Sequence, residues 1–326
     1  MKKFKSFLSS SFQEYISYRQ TIGYRGNNIR SNLLHFDQYV KEKNADENSF
    51  NPLFFIELSR EFKQHLTPAS VNQIIGTVRG FFQFIVRKNI YAENPLQDIP
   101  GHKENAYIPF IFSTKEIKQL LSAVQERIRK SQKHFLYDLS EYIAILLLAE
   151  CGLRISEPLR LLHTHYRKDD GTIYIEKTKF RKDRLIPLPK SVLTEIENYL
   201  AVRKSLLTDD KNQYLLAGSK TKKIDSGKIY RRFHQAVKDI GITEQKQIIA
   251  DTTFGAPTPH SLRHSFAINT LKRIKERGKS TQEALPVLAV HMGHVMYQYT
   301  SLYLKVLDAE HRQGLVNFAL SQLKKV

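Results

Sequence analysis

The sequence predicts a mainly α protein, in which an N-terminal helical bundle is followed by a mixed, mostly helical domain with a small antiparallel sheet. Three observations carry this. Apolar residues recur at the three-to-four spacing of an α-helix through both halves. Between the halves, Asn94-Pro95-Leu96 and Ile99-Pro100-Gly101-His102-Lys103-Glu104-Asn105 lose that period and gain proline, glycine and charge, as a linker does. Residues 171–176 and 184–188 read as two short strands flanking a basic turn. The expected domains are therefore residues 1–101 and 110–326, with the boundary near 101–110.

In the first half, Phe7, Leu8, Phe12, Tyr15 and Ile16 form one apolar stripe, and Ile29, Leu33, Leu34, Phe36, Tyr39 and Val40 a second. Ile22-Gly23-Tyr24-Arg25-Gly26-Asn27-Asn28 breaks the first helix and caps the next, and so short a turn pairs them antiparallel. A third helix is expected over residues 54–66. A fourth follows Thr67-Pro68 with Val71, Ile74, Ile75, Val78, Phe81, Phe82 and Ile85 on one face. In this half Arg25, Arg30, Arg79, Arg87 and Lys88 are candidate phosphate contacts, although a solvated surface role is the more common fate of each.

In the second half, Ser113-Thr114-Lys115-Glu116 is a capping box opening a helix through Ile117, Leu120, Leu121 and Val124. Residues 137–150 form a helix apolar nearly all round, hence buried, and Gly152 ends it. Arg154 is expected at the start of a further short helix, where an ion pair with Glu157 is its plain structural role. Helices are expected over 191–204 and 226–240, an extended segment over 214–217, and a surface loop over 245–257, which contains Gly255 and Pro257. A last amphipathic helix is expected over about 308–323, with Leu315, Val316, Phe318, Ala319 and Leu323 as its stripe.

The charge points to a partner. Lysine and arginine number 51 against 32 acidic residues, a net charge of +19 spread along the whole chain, which suits a polyanion. Cys151 is the only cysteine, so an intrachain disulfide and multi-cysteine zinc sites are excluded. The longest apolar run, residues 142–149, falls far short of the about 20 residues a membrane span needs. A soluble, cytoplasmic protein is expected.

The richest stretch is Thr258-Pro259-His260-Ser261-Leu262-Arg263-His264-Ser265-Phe266-Ala267, followed by His291-Met292-Gly293-His294 and Tyr303. Pro259 suits the first position of a helix, so His260 and Arg263, three apart, share a face of its first turns. Unpaired N–H groups and the positive end of the helix dipole, beside an arginine, make a place for a phosphate. His260 and His264 also sit four apart, the spacing of a zinc pair. The arginine between them repels a cation and no acidic or thiolate ligand is adjacent, so His264 is read as structural and no metal or cofactor is expected.

His260-x-x-Arg263 with His264-Ser265-Phe266-Ala267, the Gly293-His294 pair and a tyrosine nine positions after that histidine resemble the tyrosine recombinases, the phage integrase and Xer-like family. Cys151-Gly152-Leu153-Arg154-Ile155-Ser156-Glu157 is similar to the family's first arginine box. Lys179-Phe180-Arg181-Lys182-Asp183-Arg184-Leu185-Ile186-Pro187-Leu188 is similar to its lysine hairpin, except that Thr178 and Phe180 stand where glycines are usual; Lys177 and Lys182 are rivals to Lys179. The four boxes come in family order.

The resemblance implies a SAM-like core-binding domain that clamps double-stranded DNA against a catalytic domain. It implies a site made of Arg154, Lys179, His260, Arg263, His294 and Tyr303. Tyr303 would attack a phosphodiester to give a covalent 3′-phosphotyrosine, so that strands rejoin without ATP. The arginines would hold the non-bridging oxygens, His294 would donate to one of them, His260 would take the phenol proton or hold the phosphate, and Lys179 would protonate the leaving 5′ oxygen. Tyr297 and Tyr299 are nearby rivals to Tyr303. A site-specific recombinase acting in integration, excision or dimer resolution is expected, on a mobile element or a chromosome. It would be a monomer when free, a tetramer on two DNA sites, and open to accessory DNA-binding proteins. With the first helix starting near Phe4, no arm-binding domain is expected before it. Two other readings are a type IB topoisomerase-like enzyme that relaxes DNA and a regulator on the same fold that binds without cleaving.

Overall fold

The structure is a computed structural model that describes residues 2–24, 26–176, 183–207, 209–294, 300, 303 and 304. The chain divides into two compact units, Met1–Asn105 and Ala106–Val326.

In the first unit α1 (Ser9–Thr21), α2 (Gly26–Glu42), α3 (Pro52–His65) and α4 (Pro68–Arg87) form the bundle. Two starts are set by side chains: Asn51 Oδ1 accepts from the Phe54 N–H at 3.0 Å and Thr67 Oγ1 from the Ser70 N–H at 3.3 Å. In each case a proline follows at the first helical position, where an N–H has no partner to lose. Phe12, Phe36, Phe55, Phe81 and Phe82 are fully buried in the core. Ring centroids lie 4.7 Å apart for Phe12 and Phe81 and 5.3 Å apart for Phe55 and Phe82, within the range of favourable aromatic pairs.

Of the candidate phosphate contacts in this unit, Arg79 is used internally. Its Nε and Nη2 donate to the Leu96 and Ile99 carbonyls at 2.8 and 2.5 Å and fasten the chain that follows α4. Arg30 donates to the Lys2 carbonyl and stacks on Phe4, Lys88 pairs with Glu14, and Arg87 is exposed. Arg25 lies outside the described residues.

The second unit holds α5 (Thr114–Glu126), α6 (Phe135–Cys151), α7 (Lys190–Leu206), α8 (Ser226–Asp239), α9 (Pro259–Glu276) and α10 (Thr281–Met292). Because α6 is apolar nearly all round, it takes the centre, and α5, α7, α8 and α9 pack on it. Strands β2 (Tyr166–Arg167), β3 (Thr172–Ile175) and β4 (Arg184–Pro187) form the expected antiparallel sheet. Its register sets Ile173 opposite Ile186 and Ile175 opposite Arg184, so Arg184 falls on the buried face.

Two local expectations are corrected. Residues 245–257 are not a plain loop: β5 (Gln247–Ile249) and β6 (Thr252–Phe254) pair antiparallel there, and β6 also pairs in parallel with β1 (Ala106–Ile108). Three-residue strands are too short to show an alternating pattern, and the partner strand lies far away in sequence. Nor does a helix start at Arg154. The chain leaves α6 through Gly152, turns over residues 155–157 and enters a 3-10 helix, Pro158–Arg160. Among the described residues, no helix is long and apolar enough to cross a membrane.

Gly152 caps α6 at φ +63°, and a Cβ there would overlap the Phe266 ring; Gly241 has φ +74° with open space around it. Gly241→Ala should therefore cost only the left-handed backbone penalty of about 1–2 kcal/mol. Gly152→Ala should cost about 1–3 kcal/mol more through overpacking, read from urea unfolding of the two variants. Equal losses would contradict the close approach.

Candidate active site

Two helix ends and one helix start supply the site. At the end of α6, Arg154 is held by its own turn: its N–H donates to Glu157 Oε2 at 2.8 Å, and the Glu157 N–H donates back to the Arg154 carbonyl at 2.8 Å. The Arg154 guanidinium donates to Glu157 Oε1 at 3.1 Å and to the Gly293 carbonyl, at the end of α10, at 2.8 Å. Gly293 has φ +61°, and a Cβ there would lie 3.2 Å from Arg184 Nη1 and 3.5 Å from Arg154 Nη1, so glycine serves both the turn and the approach of the two guanidiniums.

Arg263 projects from the second turn of α9 and is 1% exposed. Its Nη1 donates to the Gly152 carbonyl at 2.6 Å and its Nη2 to the Met292 carbonyl. Both acceptors sit at helix C-termini, where carbonyls lack intrahelical partners and the dipole favours a cation. Burial, and then the charge of Arg154, weigh against the Arg263 cation and push it down to about 9, still charged at neutral pH.

Sequence reasoning named Arg184 only as part of the lysine hairpin. In the structure it donates twice to Glu157, at 3.1 and 3.0 Å, and through Nε to the His291 carbonyl at 2.7 Å. Burial pushes the Glu157 carboxyl up, but the Arg184 bonds and charge and the Arg154 N–H outweigh it, and the group stays below the usual carboxylate range. Arg154 and Arg184 thus share one carboxylate, the charge of Arg263 also acts on it, and the excess positive charge suits a phosphate. His291 supports the frame: its ring stacks on Phe266 at 5.1 Å, and its Nε2–H donates to the Cys151 carbonyl at 3.0 Å.

His260 stands in the first turn of α9 and is an exposed residue. Surrounding protein, and then the charges of Arg263 and Arg154, lower its pKa, so the ring is neutral at pH 7. His294 follows Gly293, and its Nδ1 lies 2.8 Å from the hydroxyl of the fully buried Thr300. Burial, then Arg263 and Arg154, push His294 down to about 4. Tyr303 is 4% exposed, and burial pushes its phenol up to about 12 against the opposing pull of Arg263 and Arg154. Its hydroxyl lies 2.9 Å from His264 Nδ1, and His264 touches His260 edge to face, ring centroids 4.7 Å apart.

The structure therefore brings Arg154, His260, Arg263, His294 and Tyr303 together, while Lys179, its rivals Lys177 and Lys182, and the rival tyrosines Tyr297 and Tyr299 lie outside the described residues. Sequence reasoning missed Arg184, Thr300 and the contact of His264 with Tyr303. Glu157 was visible as an i, i+3 partner of Arg154, but its second arginine was not.

Residues 111–310 match the phage integrase family. The putative integrase/recombinase y4rB of Sinorhizobium fredii is 26% identical over 303 residues, which cover 92% of this chain and 93% of that protein. Tyrosine recombinase XerA of Thermococcus kodakarensis is 26% identical over 301 residues, 92% and 91% of the two chains. Among solved structures, XerH bound to difH substrate in a pre-cleavage complex aligns with a TM-score of 0.65 at 18% identity, covering 85% of this chain and 74% of its own. A lambda integrase dimer bound to a COC′ core site aligns with a TM-score of 0.62 at 17% identity, covering 89% and 96%.

The half-buried His294 gives stability a sign in pH. His294 protonates near 4 in the folded chain and at about 6.5 when unfolded, so between these values only the unfolded chain takes up the proton. Stability from this group is complete above about 6.5 and is lost as pH falls towards about 4. The free-energy difference between wild type and His294→Asn, from urea unfolding, should shift against the wild type by on the order of 1–2 kcal/mol from pH 7 to pH 4, allowing for partial solvent screening. A pH-independent difference would contradict the neutral ring.

Proposed function

Because this chain belongs to the phage integrase family, the tyrosine recombinases, we propose that Arg154, Lys179, His260, Arg263, His294 and Tyr303 are its active site. The chain is a site-specific DNA recombinase that cuts and rejoins strands through a covalent 3′-phosphotyrosine. Relaxation of DNA by a topoisomerase and binding without cleavage are not the favoured readings. The observation that carries the site assignment is the meeting of the Tyr303 phenol with Arg154 and Arg263 where α6, α9 and α10 end or begin.

The Tyr303 oxygen attacks phosphorus, the O–H proton leaves, a phosphorus–oxygen bond to tyrosine forms and the bond to the 5′ oxygen breaks. Charge develops on the non-bridging oxygens, where Arg154 and Arg263 donate; both are already held by carbonyls, so little reorganisation is needed as charge grows. His294, whose Nδ1 lies 2.8 Å from the Thr300 hydroxyl, donates to a phosphate oxygen. His260, neutral and exposed, holds the phosphate or takes up the phenol proton. Lys179 protonates the 5′ oxygen. It lies five residues before Arg184, so about 18 Å of extended chain is the most that separates it from a residue anchored in the site. Reversal of the chemistry with a different 5′-OH exchanges strands.

The partner is double-stranded DNA, which fits a net charge of +19. The related lambda integrase structures hold a dimer on a core site and a tetramer on a Holliday junction. By the same logic this chain works as a multimer on DNA, monomeric when free and tetrameric on two sites, with accessory DNA-binding proteins setting the outcome. The expected C-terminal helix over 308–323 lies outside the described residues.

Two experiments test the assignment. On a nicked suicide substrate, Tyr303→Phe should bind DNA as the wild type does and form no covalent adduct; an adduct retained in Tyr303→Phe and lost in Tyr297→Phe or Tyr299→Phe would replace the nucleophile. Lys179→Ala should be slow on ordinary DNA and largely rescued by a 5′-bridging phosphorothiolate, whose sulfur departs without a proton, while Arg263→Ala should not be rescued. Rescue of Lys177→Ala or Lys182→Ala in place of Lys179→Ala would move the acid along the hairpin.

A further inference from the structure

Tyr303 and His264 meet in a way that the six-residue set leaves unused. The Tyr303 ring packs in an apolar cluster of Ala267, Ile268, Leu271, Leu285, Leu288 and Met292, between α9 and α10. Those side chains give the ring a slot but offer its hydroxyl nothing polar. His264 does: it follows Arg263 directly on α9, and its Nδ1 lies 2.9 Å from the phenolic oxygen with the two rings inclined at 63°. Since His260 and His264 are four apart on α9, they share a face, and the edge-to-face contact between them braces the His264 ring.

Proton positions follow from the surroundings. Burial, then the neighbouring His260 and the charge of Arg263, push the His264 imidazolium down to about 3. The Tyr303 phenol ionises only near 12. At neutral pH the proton therefore stays on oxygen, so Tyr303 donates and Nδ1 accepts, which puts the ring hydrogen of His264 on Nε2. The bond orients a neutral phenol; it does not ionise it.

Resting on the assignment of Tyr303 as nucleophile, we propose that His264 is the positioning residue for that nucleophile: by accepting the Tyr303 hydroxyl at Nδ1, it fixes the phenolic oxygen beside Arg154 and Arg263 of the same chain. A histidine adjacent to a catalytic arginine thereby has a task of its own, distinct from holding phosphate. Without the bond, the slot still confines the ring but leaves the torsion of the hydroxyl and the depth of the oxygen unset, and fewer encounters start from an attacking geometry.

The two amide replacements separate this from a packing role. Asn places a polar atom where Nδ1 was, and Gln places it near the position of Nε2, while Phe keeps the ring and removes the acceptor. Single-turnover formation of the covalent adduct at saturating DNA, with the modified residue mapped by mass spectrometry, should slow by about five- to tenfold in His264→Gln and His264→Phe and stay within about threefold of wild type in His264→Asn. DNA affinity should be the same in all, so the loss falls on the rate and not on binding. If His264→Phe does not fold, the Asn and Gln pair still decides. Equal rates in His264→Asn and His264→Gln, with the adduct at Tyr303, would overturn the positioning role alone. A wild-type adduct at another tyrosine would overturn the nucleophile assignment and this role with it.

Discussion

The Glu157 side chain is 3% exposed, and an isolated carboxylate so placed would be far too costly to keep charged. It persists because Arg184 meets it with two parallel N–H groups and Arg154 adds its main-chain N–H and one guanidinium nitrogen. The same carboxylate therefore ties the turn after α6 to β4, and Arg184 extends the tie to α10 through the His291 carbonyl. If Glu157 were removed, Arg154 and Arg184 would lose the one carboxylate that pairs with them among the described residues. If Arg184 were removed, Glu157 would lose its bidentate partner in a buried setting, and breaking such a pair is far more damaging than never having it. The position of Arg154, and of whatever phosphate it receives, depends on this ion cluster.

Around it, helix ends are sorted by polarity. The C-termini of α6 and α10 turn their carbonyls to Arg154 and Arg263, while the N-terminus of α9 brings His260 with the positive end of its dipole. The carbonyls that hold Arg263 are neutral and leave its charge unspent, while Arg154 shares Glu157 with Arg184. Near those charges the half-buried His264 and His294 lose their protons, and the buried tyrosine keeps its own. Among the described residues, the free site is thus cationic through its arginines.

Much of this was legible in the sequence. Residues that name themselves by type and spacing, such as Pro259, His260 and Arg263, fell where they were expected at the start of α9, whereas α10, which Gly293 closes, was not anticipated. The helical pattern was clear because bundle helices repeat one stripe over several turns, as α4 does. What stayed hidden was long-range. The pairing of β1 with β6 joins residues about 146 apart, such as Ala106 and Thr252, and leaves no mark in either three-residue strand. Arg184 looked like a strand residue because its partner, Glu157, is 27 residues earlier and on another element. His264 looked structural because a histidine inside a helix declares no partner, and Tyr303 reaches it only through the packing of α9 on α10. Histidine near neutrality is a fair first guess for an isolated residue; burial beside arginines overturns it.

The arginines and one histidine of the site are anchored on the main-chain oxygens of Cys151, Gly152, His291, Met292 and Gly293. A peptide carbonyl is the same atom whatever side chain its residue carries. The helices that present those oxygens are therefore free to drift in composition, provided their ends stay in place. Only where the chain must bend back with a positive φ, at Gly152 and Gly293, is the alphabet narrowed to glycine. Divergence on the scale that separates this chain from relatives at 26% identity can then rewrite most of the protein without touching the atoms that grip its arginines.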